Sequence, residues 1–550
     1  MDPFLYQLSS MKVHRAMPNI PAQPSRIPVL IVGAGPAGST MALELARYGV
    51  PHRLVDRAAG PTDQSRALGL TTRTLELLHR TGAGEAIAHE ARVMEGFIAY
   101  GAGGKRLAEL PLSIDPETSR YPHEMVLPQS RTQRFLQERY ERVGGRVEYG
   151  VEAVELSARS DAVEVLLRHG DGEEERVTAD WVIGADGAGS LVRRIAGDNF
   201  IGTEYEEKFL LADVTLRWPL SDRHGHLFLR PGGPIVAFPY PYPGQWRLID
   251  TSNEAETGEQ APTIERFKTL FGAFVPDMAV ERAGWTSLFR IHRRLVDRYR
   301  IGRILLMGDA AHIHSPASGQ GLNTGVQDAV NLAWKLALVV KGLSQEVLLD
   351  SYQPERRPVA EGVLNDSHAI TELMLMHNPV VEHVRDALLH FGLGLGPVQR
   401  RLAEGISKIG VNYRNSPVVT GGAGDGVKAG DRLPDPALSD GRRLSDVVSD
   451  GLKHVLILCG DPEPLLREIA RRDLTHLIAP IVMPRDLPDD GTIARLFAFR
   501  VGTNAVLVRP DLHIGWRGHG PDAAALVAPF QRALDLVFRA EEHQPSGGRE

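Results

Sequence analysis

A single cysteine, Cys459, is all that 550 residues contain, so intramolecular disulfides, a Cys-x-x-Cys redox pair and a thiolate zinc cluster are excluded. Flavin enzymes of the disulfide-reductase kind go with them. No dense basic run interrupts a chain of formal net charge −7, which argues against nucleic acid or an anionic membrane surface as a partner. No apolar stretch near the start has the length of a signal peptide or a membrane span. The first 26 residues, with Lys12, Arg15 and Arg26 among Pro, Ser and Gln, read as a disordered extension of a cytoplasmic protein. Internal repeats are missing, and so is the G-x-S-x-G elbow of a serine hydrolase. Hydrophobic residues make up 43% of the chain, enough to fill the two or three cores expected at this length. Small-molecule chemistry is the class that survives.

The first motif is Val29-Leu30-Ile31-Val32-Gly33-Ala34-Gly35-Pro36-Ala37-Gly38, an apolar strand joined to a helix through G-x-G-x-x-G. Gly33 permits the tight turn, Gly35 lets backbone approach a pyrophosphate, and Gly38 lets helix and strand pack closely. The helix stops at Gly49, and a strand from His52 ends at Asp56, where an acidic side chain accepts hydrogen bonds from an adenosine ribose. This element by itself fits NAD and FAD equally. No second strand-G-x-G-x-x-G-helix unit follows, so a dedicated reductase domain is absent.

From Val29 to about Arg356, strand-like runs alternate with helical patterns, which predicts an α/β fold around a parallel sheet. Between Phe200 and Phe289 the texture changes to strands such as Phe209–Val214 and Pro234–Phe238, broken by Pro239, Pro241, Pro243 and Gly244. That predicts a mostly antiparallel insertion, suited to be a substrate platform. A helical stretch spans Val359 to Leu402. Ser416 to Pro436, rich in Gly, Pro and Asp, reads as a linker. Beyond it come a strand at His454–Leu458, a helix at Pro464–Arg472, a hairpin from Ala505–Val508 to His513–Trp516, and a closing helix, Pro521–Arg539.

Two further blocks carry chemistry. Arg303 to His312 is a strand ending in Gly308-Asp309, followed by Pro316 and then Gly319-Gln320-Gly321-Leu322-Asn323-Thr324-Gly325 at a helix start. Asp309 can accept hydrogen bonds from a sugar-alcohol chain, Gly319 and Gly321 let backbone lie against a flat ring, and the helix N-terminus stabilises negative charge there. Trp181 to Ser190 is a strand that delivers Asp186-Gly187 to another helix start, with Arg193 one turn further on.

Together G-A-G-P-A-G, G-A-D-G-A-G-S-x-x-R and G-D-A-A-H…P-x-x-G-Q-G-L-N-T-G resemble, in order and spacing, the FAD-dependent aromatic hydroxylases of the p-hydroxybenzoate hydroxylase type. The likeness covers about Ile27 to Val363. The segments Gly430–Pro434 and Leu507–Arg517 are similar to the C-terminal thioredoxin-like domain of phenol and polyketide hydroxylases, which usually lacks redox cysteines.

The resemblance implies a Rossmann-like FAD-binding domain in two parts, 27–199 and 290–415, the second including the helical segment. The β insertion would span 200–289, the linker 416–436, and a thioredoxin-like α/β domain 437–550. Residues implied to hold FAD are Gly33, Gly35, Ala37, Gly38, Asp56, Arg57, Arg66, Gln129, Asp186, Gly187, Arg193, Asp309, Gly319, Gly321, Leu322 and Asn323. Gln133 departs from relatives that often carry Glu there. NADPH or NADH would serve as transient co-substrate, and O2 would give a flavin C4a-hydroperoxide that hydroxylates a phenolic or polycyclic, polyketide-like aromatic.

Pro316 matches a family position near the ring. His226, Arg230, Tyr240 and His312 are candidates for a base near the substrate hydroxyl, His226 and Tyr240 lying in the inserted sheet. His312 and His314 find no cysteine in reach and Asp309 already occupied, so no metal site is expected. A homodimer is the family-based expectation. The competing readings are Baeyer–Villiger oxidation or epoxidation on the same fold, and a non-catalytic FAD-bearing ligand-binding protein.

Overall fold

The computed structural model describes residues 26–62, 65, 67–230, 233–251, 264–313, 319–375, 396–422, 425–448, 451–487 and 491–539. Its first sheet has eight strands, with the path Arg300–Ile301, Ile304–Leu306, Glu174–Gly184, Arg26–Val32, His52–Asp56, Val147–Tyr149. Four consecutive pairings along this path are parallel. Val29, Leu30 and Ile31 are fully buried, as expected where helices cover both faces and the strand sequence is continuously apolar. The ends of Arg26–Val32, Glu174–Gly184 and Ile304–Leu306 lie side by side in register. All three motif turns therefore open at one edge of one sheet.

The second sheet also has eight strands: His312–Ile313, Ala279–Val296, Phe200–Arg217, Gln245–Asp250, Ile235–Pro239, His224–Phe228, Gly96–Tyr100 and Arg106–Pro111. It is antiparallel except where His224–Phe228 runs parallel to Gly96–Tyr100. Gly96–Tyr100 and Arg106–Pro111 come from well before Phe200; nothing local in sequence announces a pairing across more than 100 residues. Alternation gives the sheet two different faces. One carries Leu210, Ala212, Val214, Phe228, Ala237, Trp246 and Leu248 and packs under helix Ile264–Gly272 through Phe267 and Phe271. The other carries Asp213, Phe238 and Arg247 and looks back toward the first sheet.

The third sheet is mixed: Thr420–Gly421, Ile514–Gly520, Thr503–Val508, His454–Cys459 and Ile478–Met483. It confirms the hairpin, here Thr503–Val508 with Ile514–Gly520. The Ser416 to Pro436 segment proves anchored. Ser416 Oγ donates to Glu355, Thr420–Gly421 pairs into the sheet, and Leu433 is buried in its core; glycine and proline here shape a fitted chain.

A fully buried set of charges joins this unit to helices Gly321–Val340 and Tyr352–Leu375. Glu355 accepts from both terminal nitrogens of Arg509 (2.7 and 2.9 Å), from Lys335 Nζ (2.7 Å), Asn331 Nδ2 (2.6 Å) and Ser416 Oγ (2.6 Å). Asp511 pairs with Arg509 on the other side and accepts from Trp334 Nε1 at 3.3 Å. Arg73 donates to the carbonyl of Asp511 at 2.9 Å.

His454 is wedged beside Trp334 and Phe538, buried, with neither ring nitrogen hydrogen-bonded among the described residues. Burial lowers it from the ordinary 6.5 to about 3. The folded chain keeps this ring neutral at pH 5 while the unfolded chain protonates it, so stability is full above pH 6.5 and falls as pH drops toward the folded value. The expected slope is about 1.4 kcal/mol per pH unit for this one group. Urea melts at pH 7, 5.5 and 4.5 should show His454→Leu losing less stability than the parent over that range; parallel curves would exclude the effect.

Candidate active site

Gly33 takes φ +104°, a backbone conformation L side chains avoid, and a Cβ there would lie 2.4 Å from Ala185 O. A Cβ on Gly38 would lie 1.8 Å from Gly33 O. Gly35 differs: nothing stands within 4 Å of its Cβ position, leaving a hollow in front of helix Pro36–Arg47, which starts with no side-chain cap. Its first-turn N–H groups remain available to an anion.

The turn is held from every side. Ala34 N donates to Asp56 Oδ2 (2.7 Å), and Ala58 N to Oδ1 (2.8 Å). A carboxylate offers about four acceptor positions, so half-exposed Asp56 retains capacity for a ribose. Arg57 beside it is exposed. The carbonyl of Ala34 accepts from Gln133 Nε2 (2.9 Å), Gln137 Nε2 (3.0 Å) and Ser39 Oγ (2.9 Å). The departure at Gln133 thus has a structural use, because an ionised Glu could not donate. Gln137 was not foreseen.

Helix Gly321–Val340 begins beside this turn. Ala37, Gly308 and Gly325 meet with no room for larger groups: a Cβ on Gly325 would stand 3.2 Å from Gly308 Cα and 3.3 Å from Ala37 Cβ. Asp309 is exposed on the turn, its Oδ1 4.0 Å from the Cβ position of Gly321. Gly319 (φ +62°) has nothing near its Cβ position, and Leu322 is half-buried. Asn323 ties the helix start to the Gly69–Thr71 strip: its Nδ2 donates to Gly69 O (2.9 Å), and Thr71 N donates to its Oδ1 (2.9 Å). Gln320 Oε1 is buried without a partner among the described residues.

Behind the turn, Asp328 organises the strand end. Gly308 N, His312 Nε2 and Arg356 Nε reach its carboxylate at 3.1, 2.7 and 2.7 Å. His312 is thus a buried structural partner of Asp328 and not a base near substrate.

Asp186 caps helix Leu191–Ile195, accepting from Leu191 N (2.7 Å) and Ser190 Oγ (2.5 Å). Gly187 has φ +79°. Arg193 donates to Ala310 O (3.1 Å) and Ala188 O (3.0 Å), with its guanidinium 3.7 Å from the Phe200 ring centre. This block welds the second turn to the third. Gln129 Oε1 accepts from Ala67 N at 3.2 Å and its backbone N donates to Ser65 Oγ at 2.8 Å, fixing the segment on either side of Arg66. Arg66, Pro316 and His314 lie outside the described residues.

An uncapped helix start with a hollow at Gly35, a second uncapped start with an open Gly319, and the orphaned oxygen of Gln320 form a cradle for a long, flat, phosphate-bearing group. The residues fit a flavin dinucleotide.

A model of the FAD binding domain family matches residues 26–367. The chain belongs to this family. The 6-methylpretetramide 4-monooxygenase of Streptomyces rimosus is 35% identical to it, over 94% of this chain and 95% of that one. An anhydrotetracycline hydroxylase of the same species superposes with a TM-score of 0.76 at 32% identity, covering 93% of this chain and 99% of its own. The flavin-dependent monooxygenase PieE, solved with FAD and substrate, gives 0.77 at 25% identity over 93% and 99%. The chain is a flavin-dependent aromatic monooxygenase with FAD as its cofactor. Among the described residues no helix is long and apolar enough to cross a membrane, and no group of three His, Cys, Asp or Glu could hold a metal.

On the sheet that faces the cradle of this monooxygenase, Arg247 donates to Asp213 through Nε (2.8 Å) and Nη2 (2.9 Å), and Nη2 also reaches Tyr240 Oη (2.9 Å) and Ser65 O (2.7 Å). Tyr240 donates to Asp213 Oδ2 at 2.7 Å. Burial, with Asp213 at hand, pushes the Tyr240 phenol far above its usual range, so it stands as a donor and not as a base. Arg247 and Asp213 were missed; a charged pair in alternate register with Trp246 and Leu248 was the available signal.

His226 is corrected. It sits on the opposite, helix-covered face, fully buried against Trp218, Phe228 and Trp246. Its Nδ1 meets Tyr100 Oη at 3.1 Å and its Nε2 meets Ser221 O at 2.8 Å. Burial lowers it to about 4. It is a satisfied core histidine, separated from the cradle by the sheet itself. Arg230 is half-buried at the end of the same strand.

Proposed function

We propose that this monooxygenase hydroxylates a phenolic or polycyclic, polyketide-like aromatic, using NADPH or NADH and O2. The observation that carries the reading is the Arg247–Asp213–Tyr240 group on the sheet face turned to the cradle, with Arg247 and Tyr240 buried, Asp213 half-buried and Arg247 bonded to Ser65 O at the rim. Relatives named for 6-methylpretetramide and anhydrotetracycline support the polycyclic class.

FAD, when bound, supplies electron transfer from the nicotinamide to O2 and delivery of one oxygen atom. Gly33, Gly35, Ala37 and Gly38 would receive its pyrophosphate, Asp56 the adenosine ribose with Arg57 beside it, Asp309 the ribityl chain, and Gly319, Gly321, Leu322 and Asn323 the edge of the ring. Gln129 and Asn323 hold the strip from Ser65 to Thr71 against it, and Asp186, Gly187 and Arg193 brace the turn from behind. Arg66 and Pro316 keep the roles their motif positions imply. The apolar side chains Leu68, Met94, Leu112 and Val126 between cradle and sheet keep water out. Arg247, a fixed cation shared with Asp213, stabilises negative charge that builds on a phenol oxygen as the ring is attacked.

The mixed C-terminal sheet is read as thioredoxin-like without redox cysteines: Thr503–Val508 runs antiparallel between Ile514–Gly520 and His454–Cys459, and Ile478–Met483 lies outermost. A homodimer and a cytoplasmic location complete the reading.

The test is NAD(P)H oxidation in air by FAD-loaded protein with a panel of phenols and polycycles, followed by product mass. Stimulation with one oxygen atom added supports it. Mass gain on ketones or isolated alkenes alone would favour Baeyer–Villiger or epoxide chemistry; ligand binding without stimulated oxidation would favour a binding protein. Arg247→Met should lower kcat/KM by about 30-fold, roughly 2 kcal/mol, on a phenolic substrate, with FAD content retained.

A further inference from the structure

The small sheet Gly69–Leu70, Glu124–Val126 and Arg92–Met94 stands between cradle and substrate platform. Its pairing fixes its faces. Leu70 lies opposite Met125, and Met125 lies opposite Val93; Leu70 and Met125 pack into the nucleotide core. Glu124 lies opposite Met94, and Val126 opposite Arg92, so these four share the other face. That face abuts the substrate platform: Met94 and Val126 cluster with Leu68, Leu112 and Tyr240, and Arg92 donates to the carbonyls of Tyr240 (2.7 Å) and Pro241 (3.1 Å). Glu124 is therefore a carboxyl group beside the apolar Met94 and Val126 on this face, only 4% exposed.

A buried carboxyl normally has a strong partner. Here, among the described residues, the hydrogen bond is a long one, 3.4 Å from Thr72 N to Oε1. Among the described residues the cation that acts on it is Lys408, just past helix Gly396–Ser407. Burial outweighs both and raises the group well above the ordinary carboxylate range.

We propose that Glu124 is a specificity-determining residue: its buried carboxyl group hydrogen-bonds an oxygen substituent of the aromatic substrate held between the Ala67–Thr71 strip and the Tyr240–Arg247 face. The inference rests on the proposed hydroxylase reading. It makes this monooxygenase selective for rings that carry a hydroxyl or carbonyl away from the Arg247 pole. A site built to bond such an oxygen discriminates strongly against analogues that lack it, because the acid is then left unpaired.

The experiment titrates FAD-loaded protein with 1,8-dihydroxyanthraquinone and with unsubstituted anthraquinone, following quenching of flavin fluorescence, alongside FAD content and melting temperature. In the parent the hydroxylated ring should bind at least 10-fold more tightly. Glu124→Gln, which keeps an N–H donor, should preserve that preference within about 3-fold, whereas Glu124→Leu should bring the ratio near 1. Glu124→Met serves the same readout if the leucine variant does not fold. The proposal is overturned if the Leu or Met variants lose FAD or melting temperature while the ratio stays unchanged, because Glu124 then only caps helix Thr72–His79. If neither anthraquinone nor any hydroxylated polycycle binds the parent, the hydroxylase reading itself fails, and this inference with it.

Discussion

Gly38→Ala protein should emerge from purification without FAD. The added Cβ would stand 1.8 Å from Gly33 O, a separation no side-chain rotation relieves because backbone geometry fixes both positions. Helix Pro36–Arg47 must then move away from the turn proposed to receive the pyrophosphate. Overpacking of this severity costs about 3 kcal/mol, about 100-fold in FAD affinity, and it falls on the apo fold as well. Gly35→Ala provides the contrast. With φ −65° and nothing within 4 Å of the new methyl, the apo protein should melt within a degree or two of the parent, yet FAD affinity should fall at least tenfold because the methyl occupies the hollow. Differential scanning of apo and FAD-loaded forms, with flavin titration, separates the two. Equal behaviour of the pair would show that the hollow at Gly35 is not where phosphate sits.

Glu355→Ala should cost about 3–5 kcal/mol of stability, the scale for removing one partner from a buried ion pair. Five donors converge on this carboxylate; without it the hydrogen-bond partners left among the described residues are Asn331 Oδ1 for Lys335, at 2.9 Å, and the Asp511 carboxylate for the Arg509 side chain. Chemical unfolding followed by tryptophan fluorescence reads the loss, helped by Trp334 lying against Arg509. Combining Glu355→Leu with Lys335→Leu should recover part of it, since apolar residues of similar volume often replace a buried pair at little cost. If the double substitution is worse than either single one, the cluster is worth more as charge than this arithmetic allows.

The three turns were readable because each is a contiguous strand-turn-helix whose glycines are demanded by backbone geometry, and such demands leave a local mark. The two faces of the second sheet were not. His226 and Arg247 are both polar residues in apolar strands, and only the pairing of strands distant in sequence decides which looks toward the cradle. The buried cluster had a partial signal: Asp328, Asn331 and Lys335 fall three and four residues apart, a polar stripe on a helix otherwise apolar. Their partners at Arg356, Glu355 and Arg509 left none, because ion pairs across long separations do not constrain neighbouring residues. Gln133 shows the opposite error: a substitution that looks neutral beside its relatives donates to the carbonyl at the heart of the dinucleotide turn.

The charge cluster also sets an order of events during synthesis. Lys335 and Glu355 leave the ribosome long before Arg509 and Asp511, the charges that complete their buried cluster. Chimeras that exchange the C-terminal unit with a relative must therefore carry positions 331, 335, 355, 509 and 511 as one inherited set.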